Sequence, residues 1–186
     1  MLKKSTLIIS ILFTLLFQAC SNEDKVNKNA NEMVSVNEYV LTGLDKKQYV
    51  VKKDGEGFIL EGAKNKVVIF DIFATWCPPC RAAASHLSSL QKKYKDDLVV
   101  IGITIEDNIL NEKLLEFREK YTADYTIVNS DQNRRLSNAI VKELELGERY
   151  PIPLMVLYKD GKLVNHFVGA TEEEFIDSDI RRALNK

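Results

Sequence analysis

Seven consecutive residues, Val67-Val68-Ile69-Phe70-Asp71-Ile72-Phe73, are apolar apart from one aspartate, and after Ala74-Thr75-Trp76 the chain reads Cys77-Pro78-Pro79-Cys80. A run of this length without polar alternation predicts a central strand buried on both faces. Such a strand needs other elements above and below it, so the chain is confined to layered α/β architectures. The strand leads through a turn into a helix whose first residues carry two thiols. A helix N-terminus presents unpaired N–H groups and the positive end of the helix dipole, which favour thiolate over thiol. The two-residue spacing lets the second sulfur reach back and close a disulfide. Cys77 and Cys80 are therefore the candidate redox pair.

Cysteine usage narrows the chemistry. The chain has three cysteines and two histidines, too few for a four-cysteine zinc site, and His86 and His166 lie far from any finger-like spacing. No metal is expected. One closely spaced pair also makes a poor structural staple, because so small a loop constrains the unfolded chain little. The formal net charge of −1, without a basic stripe, gives no footprint for nucleic acid.

The first residues read as an address. Met1-Leu2-Lys3-Lys4 is a basic start, Leu7 to Phe17 is apolar, and Leu16-Phe17-Gln18-Ala19-Cys20 closes it. The apolar run is short for a membrane-spanning helix, so residues 1–19 are expected to be a signal peptide. A small residue before a cysteine resembles the bacterial lipoprotein signal, which would make Cys20 a lipidated first residue and give the protein its membrane anchor. Phe17 and Gln18 depart from that pattern, and ordinary cleavage near Ala19 is the alternative. Polar, Asn-rich residues 20–35 read as a flexible tether. Export would place the pair in an oxidising compartment outside the cytoplasm.

Residues 36–186 are expected to form one domain. Glu38 to Thr42 and Gln48 to Val51 flank Gly43-Leu44-Asp45 as a hairpin, and Phe58 to Glu61 suggests a further short strand. In the helix after Cys77, one apolar stripe holds Cys80, Ala83, Leu87, Leu90 and Tyr94, which turns Cys80 toward the core and leaves Cys77 at an exposed cap. Further strands are expected at Leu98 to Thr104, Tyr125 to Val128, Leu154 to Tyr158 and Lys162 to Val168. Helices are expected at Leu110 to Tyr121, after a Ser130 or Asp131 cap with Leu136, Ile140 and Leu144 inward, and after a Thr171/Glu174 capping box with Ile176, Ile180 and Leu184 inward. The order is a hairpin, βαβαβα, then ββα.

Three stretches carry a resemblance: Phe70-Asp71-Ile72-Phe73-Ala74-Thr75-Trp76-Cys77-Pro78-Pro79-Cys80, Pro151-Ile152-Pro153-Leu154 with Lys159-Asp160-Gly161, and Val168-Gly169-Ala170. With them the chain resembles the thioredoxin superfamily, and more closely its exported, membrane-tethered TlpA/ResA-like branch. The resemblance implies a thioredoxin-like α/β fold, a mixed central sheet flanked by helices, with an N-terminal hairpin and a central αβ insertion. It implies Cys77 as attacking and Cys80 as resolving thiol, with no cofactor beyond their redox-active disulfide. Pro153 would be the cis-proline facing the pair, and Ile152 would offer its backbone to a bound peptide. Trp76, Pro78 and Pro79 would flank the substrate.

Asp71 is costly inside an apolar strand unless it has a role or a partner. The resemblance gives it the proton of the resolving thiol, and desolvation would raise its pKa toward neutral; a core aspartate satisfied by Lys66 is the bland alternative. Where the tethered branch often has Glu and Pro after the second cysteine, this chain has Ala83 and Ser85, leaving Asp71 as the apparent acid/base. Protein thiols and disulfides are the implied partners, with a membrane thiol electron donor by analogy. A reductase in the bacterial envelope, linked to cytochrome c maturation, is the leading expectation. A disulfide-forming oxidant or isomerase, and a non-catalytic binding or sensing module, stay open beside it.

Overall fold

The computed structural model describes residues 37–186. The expected signal peptide, Cys20 and tether lie outside them. Eight strands and four helices follow in order: β1 (Glu38–Thr42), β2 (Gln48–Asp54), β3 (Gly57–Leu60), β4 (Val67–Phe73), α1 (Pro78–Lys93), β5 (Leu98–Thr104), α2 (Asn111–Tyr121), β6 (Thr126–Val128), α3 (Asn133–Glu143), β7 (Leu154–Lys159), β8 (Lys162–Val168) and α4 (Glu173–Leu184).

β4 is buried along its whole length because it occupies the centre of a five-stranded mixed sheet of order β6-β5-β4-β7-β8. It pairs in parallel with β5 and antiparallel with β7. Alternation along β4 sorts its side chains into two cores. Ile69 and Phe73 face a layer holding Cys77, Cys80, Leu87, Leu90, Leu114, Phe117, Ile176 and Ile180, supplied by α1, α2 and α4. Val68, Phe70 and Ile72 face Leu136 and Ile140 of α3, together with the apolar side of β1–β3.

β1–β3 form an antiparallel sheet of their own, so the expected hairpin gains a third strand. That sheet also covers the edge of β6. Gly43 bridges Val128, Leu44 N–H donates to the Ile127 carbonyl (3.0 Å), and Asn129 N–H donates to the Thr42 carbonyl (2.8 Å). An unpaired edge is thereby closed. Phe58 plugs the interface, fully buried, with its ring edge-on to Tyr158 at 5.7 Å between centroids. At the far end Gly57 runs so close to Gly161 that a Cβ would strike the Gly161 carbonyl.

Two expected caps are corrected. α3 begins one residue later than an Asp131 cap requires and two later than a Ser130 cap; Gln132 is its N-cap, and no side chain caps the helix. Ser130 Oγ instead accepts the Gln132 N–H (3.2 Å), ordering the turn before the helix. The Thr171/Glu174 box does not form. Extended Glu172 is the N-cap of α4, which places Thr171 outside the helix. Glu173 and Glu174 still put negative charge on its first turn, where the dipole favours it.

Candidate active site

Cys77 is the extended N-cap of α1, with Pro78 and Pro79 at the next two positions. Proline suits the first turn of a helix, where N–H groups lack intrahelical acceptors. Both prolines remove a donor, so the first N–H that can reach the sulfur belongs to Cys80; it donates to Cys77 Sγ at 3.2 Å. The two cysteines form a disulfide with Cα atoms 5.3 Å apart.

The expected exposure of Cys77 is corrected. Cys77 is 3% exposed and Cys80 2%, so both cysteines are buried. Cys77 is covered because the chain around it folds over: its Sγ lies 3.6 Å from the Ile152 carbonyl oxygen. The Ile152–Pro153 peptide is cis. Pro153 is buried and Ile152 half-buried at the start of β7, and the Pro153 carbonyl accepts the Gly169 N–H at 2.8 Å. The three stretches that carry the resemblance thus include residues that meet in space. Trp76, 60% exposed, stands beside the disulfide in sequence, and Pro78 is exposed while Pro79 is half-buried.

Asp71 is 2% exposed. Its neighbours two residues either way, Ile69 and Phe73, belong to the core that holds the cysteines, so alternation places its carboxyl on the same side of the sheet. Its partner is not Lys66. Tyr125 Oη donates to Asp71 Oδ2 at 3.0 Å, while Oδ1 is buried with no hydrogen-bond partner. Burial pushes the Asp71 pKa up to about 7, with the Tyr125 hydrogen bond opposing that rise.

Sequence reasoning missed three residues at this site. Tyr125 looked like one more strand residue. The signal for it was Gly102, a glycine inside an apolar strand, which marks a close approach. Glu106 and Arg81 were missed too. Glu106 accepts from the Thr75 N–H (2.6 Å) and the Thr75 hydroxyl (2.9 Å), and Arg81 Nε donates to the Thr75 carbonyl (2.8 Å). Together they hold both sides of the residue that leads into Trp76-Cys77. Glu106 lies just past the end of β5, whose last residue pairs with Phe73. Parallel neighbours that end together bring their following loops together, a juxtaposition visible only once the sheet order is known. His86 lies in the middle of α1 and is half-buried. Among the described residues, no group of three or more His, Cys, Asp or Glu side chains is placed to hold a metal ion.

A disulfide at the opening of a helix, on a sheet of this order and opposite a cis-proline, is built for exchange with other thiols: the fold and site are those of a thioredoxin-like thiol–disulfide oxidoreductase. The chain belongs to the Redoxin family, whose model matches residues 21–184. It is 36% identical over 81 residues to Thioredoxin-1 of Drosophila melanogaster, covering 42% of this chain and 70% of that protein. It is 25% identical over 134 residues to the thiol-disulfide oxidoreductase ResA of Bacillus anthracis, covering 72% of each. Of other curated relatives it spans about half, 51% of their length. The fold matches the crystal structure of a thiol:disulfide interchange protein of the thioredoxin family from Chlorobium tepidum, with a TM-score of 0.60 and 19% identity over 80% of this chain and 94% of that one.

Proposed function

We propose that this protein reduces protein disulfides on the extracytoplasmic side of the bacterial cell envelope, held to a membrane there by a lipid on Cys20. The observation that carries the catalytic part is the placement of Cys77 Sγ between the Cys80 N–H and the Ile152 carbonyl. In the dithiol state the Cys77 thiolate attacks one sulfur of a substrate disulfide laid along Ile152-Pro153, with Trp76, Pro78 and Pro79 at its flanks. The Cys77–substrate bond forms and the substrate's own S–S bond breaks; the departing substrate thiolate takes a proton from water. Cys80 then gives its proton to Asp71, and the Cys80 thiolate attacks Cys77 Sγ. The Cys77–Cys80 bond forms, the second substrate thiolate leaves and is protonated, and the protein is left oxidised.

Returning it to the dithiol requires a thiol donor, and a membrane dithiol protein fits a tethered domain in an oxidising compartment. The two prolines support the reducing direction. With one N–H on the sulfur, the Cys77 thiolate is moderately rather than strongly stabilised, which keeps the couple from being a strong oxidant. The resemblance of the Cys77–Cys80, Pro153 and Gly169 stretches to the membrane-tethered TlpA/ResA-like branch supports a link to cytochrome c maturation as the physiological task.

Cys80→Ser tests the two-cysteine mechanism. It removes the resolving thiol and is expected to accumulate a covalent Cys77–substrate adduct with a reactive disulfide protein, visible on non-reducing gels. Absence of an adduct with any such disulfide contradicts the mechanism.

A further inference from the structure

Resting on that reading, we infer that Tyr125 is a positioning residue for the resolving step: its hydroxyl ties Asp71 Oδ2 and leaves Oδ1 as the oxygen that takes the Cys80 proton.

The geometry behind this is specific. Asp71 pairs in register with Gly102 on β5 and with Met155 on β7, and register partners point to one face of a sheet. Gly102 in turn pairs with Ile127 on β6. Tyr125 lies two residues before Ile127, just ahead of β6, and its ring lies across Gly102. A Cβ on Gly102 would come within 2.9 Å of Tyr125 Cε2 and 3.3 Å of Phe73 Cε1. The missing side chain is therefore the space through which Tyr125 reaches Asp71. Gly102 has a negative φ, and no left-handed backbone conformation requires a glycine there; the close approach of the ring does.

The surroundings offer the carboxyl little else. Gly102 from β5 and Met155 from β7 are its register partners, Cys77 and Cys80 belong to the otherwise apolar core on that side, and Tyr125, just ahead of β6, is its one hydrogen-bond donor among the described residues. A carboxylate with both oxygens bonded would be a poor acceptor for a thiol proton, and one with neither bonded would be free to rotate. One donor on Oδ2 fixes the plane and leaves the other oxygen open. The same bond favours the charged form, so it opposes the effect of burial and limits how tightly the proton is held. Tyr125 belongs to the αβ unit inserted between β5 and α3, which gives that insertion a role at the active centre.

Carbon-13 labelling of aspartate side-chain carboxyls in the oxidised full chain reads this directly, with Asp71→Asn assigning the signal. Tyr125→Phe keeps the ring and loses the donor, and is expected to raise the proton affinity of Asp71 about tenfold. A ring-fluorinated tyrosine at position 125, a stronger donor, is expected to lower it. Opposite shifts from two rings of nearly one shape support positioning through the hydrogen bond, since a packing role would not reverse sign. An Asp71 midpoint unchanged in either folded variant overturns the inference. Reduction of insulin disulfides by the unaltered chain is measured alongside. Its absence sinks the reductase reading and leaves the titration result standing, whereas an unchanged midpoint sinks the role of Tyr125 alone.

Discussion

Glu106 grips Thr75 twice, with one carboxylate oxygen on the backbone N–H at 2.6 Å and the other on the hydroxyl at 2.9 Å. Thr75 begins the turn that carries Trp76 and Cys77 off the end of β4, so this pair joins the loop after β5 to the approach to the disulfide. Hydrogen bonds to a charged group contribute about 1.5–3 kcal/mol each when a partner is removed. Glu106→Ala is expected to destabilise the protein by about 2–3 kcal/mol in urea unfolding and to lower kcat/KM for disulfide reduction. Thr75→Ala, which keeps the N–H bond, is expected to cost less. Equal stability of Glu106→Ala and the unaltered chain would contradict the clamp.

Asp71 makes stability depend on pH. Its folded pKa of about 7 lies above the ordinary aspartate value of 3.8, so between those values the folded state binds more protons than the unfolded one. The slope of unfolding free energy against pH is then negative: stability contributed by the protonated carboxyl is complete below the lower value and is lost as pH rises toward and through the upper one. The full effect is at most about 4 kcal/mol. Urea unfolding of the oxidised protein is expected to show this loss between about pH 4 and about pH 7, levelling off above, and Asp71→Asn to remove Asp71's share of it. An unaltered pH dependence in Asp71→Asn would mean that Asp71 is ionised in the folded protein across the range.

The helices and strands were legible from periodicity, because the core strands are long apolar runs and the helices carry single apolar stripes. The Cys77/Cys80 pair and Pro153 were legible because their chemistry is local and rare in this chain. What could not be read was set by distance in space. Tyr125 and Asp71 meet across β5 only because β6 lies at the sheet edge, and Glu106 meets Thr75 only because β4 and β5 are parallel neighbours. The burial of Cys77 follows from the Ile152 carbonyl arriving from a segment 75 residues away. The helix caps failed for a smaller reason: α3 and α4 each start one or two residues past the position that their capping side chains would need.

The β1–β3 sheet is part of the core, and Phe58 is the test of that. Its side chain is fully buried between Tyr39 and Tyr158, and truncating such a ring typically costs about 3–5 kcal/mol. Phe58→Ala is expected to show a loss of that size in a single unfolding transition. Loss of β1–β3 order at unchanged stability of the rest would show an appended sheet instead.

Trp76 separates binding from folding. Being 60% exposed, it contributes little to stability, and Trp76→Ala is expected to stay within about 0.5 kcal/mol of the unaltered protein. If it contacts substrate, the same change raises KM for a protein disulfide more than for a small one such as oxidised glutathione. Equal effects on both would remove it from the protein-binding surface.

The reduction potential of the Cys77/Cys80 couple, set by equilibrating the protein with defined thiol buffers, tests the central claim most directly. A reductase is expected below about −220 mV, toward the thioredoxin range. A value between about −120 and −180 mV, in the range of oxidants and isomerases, would contradict the proposed direction of electron flow.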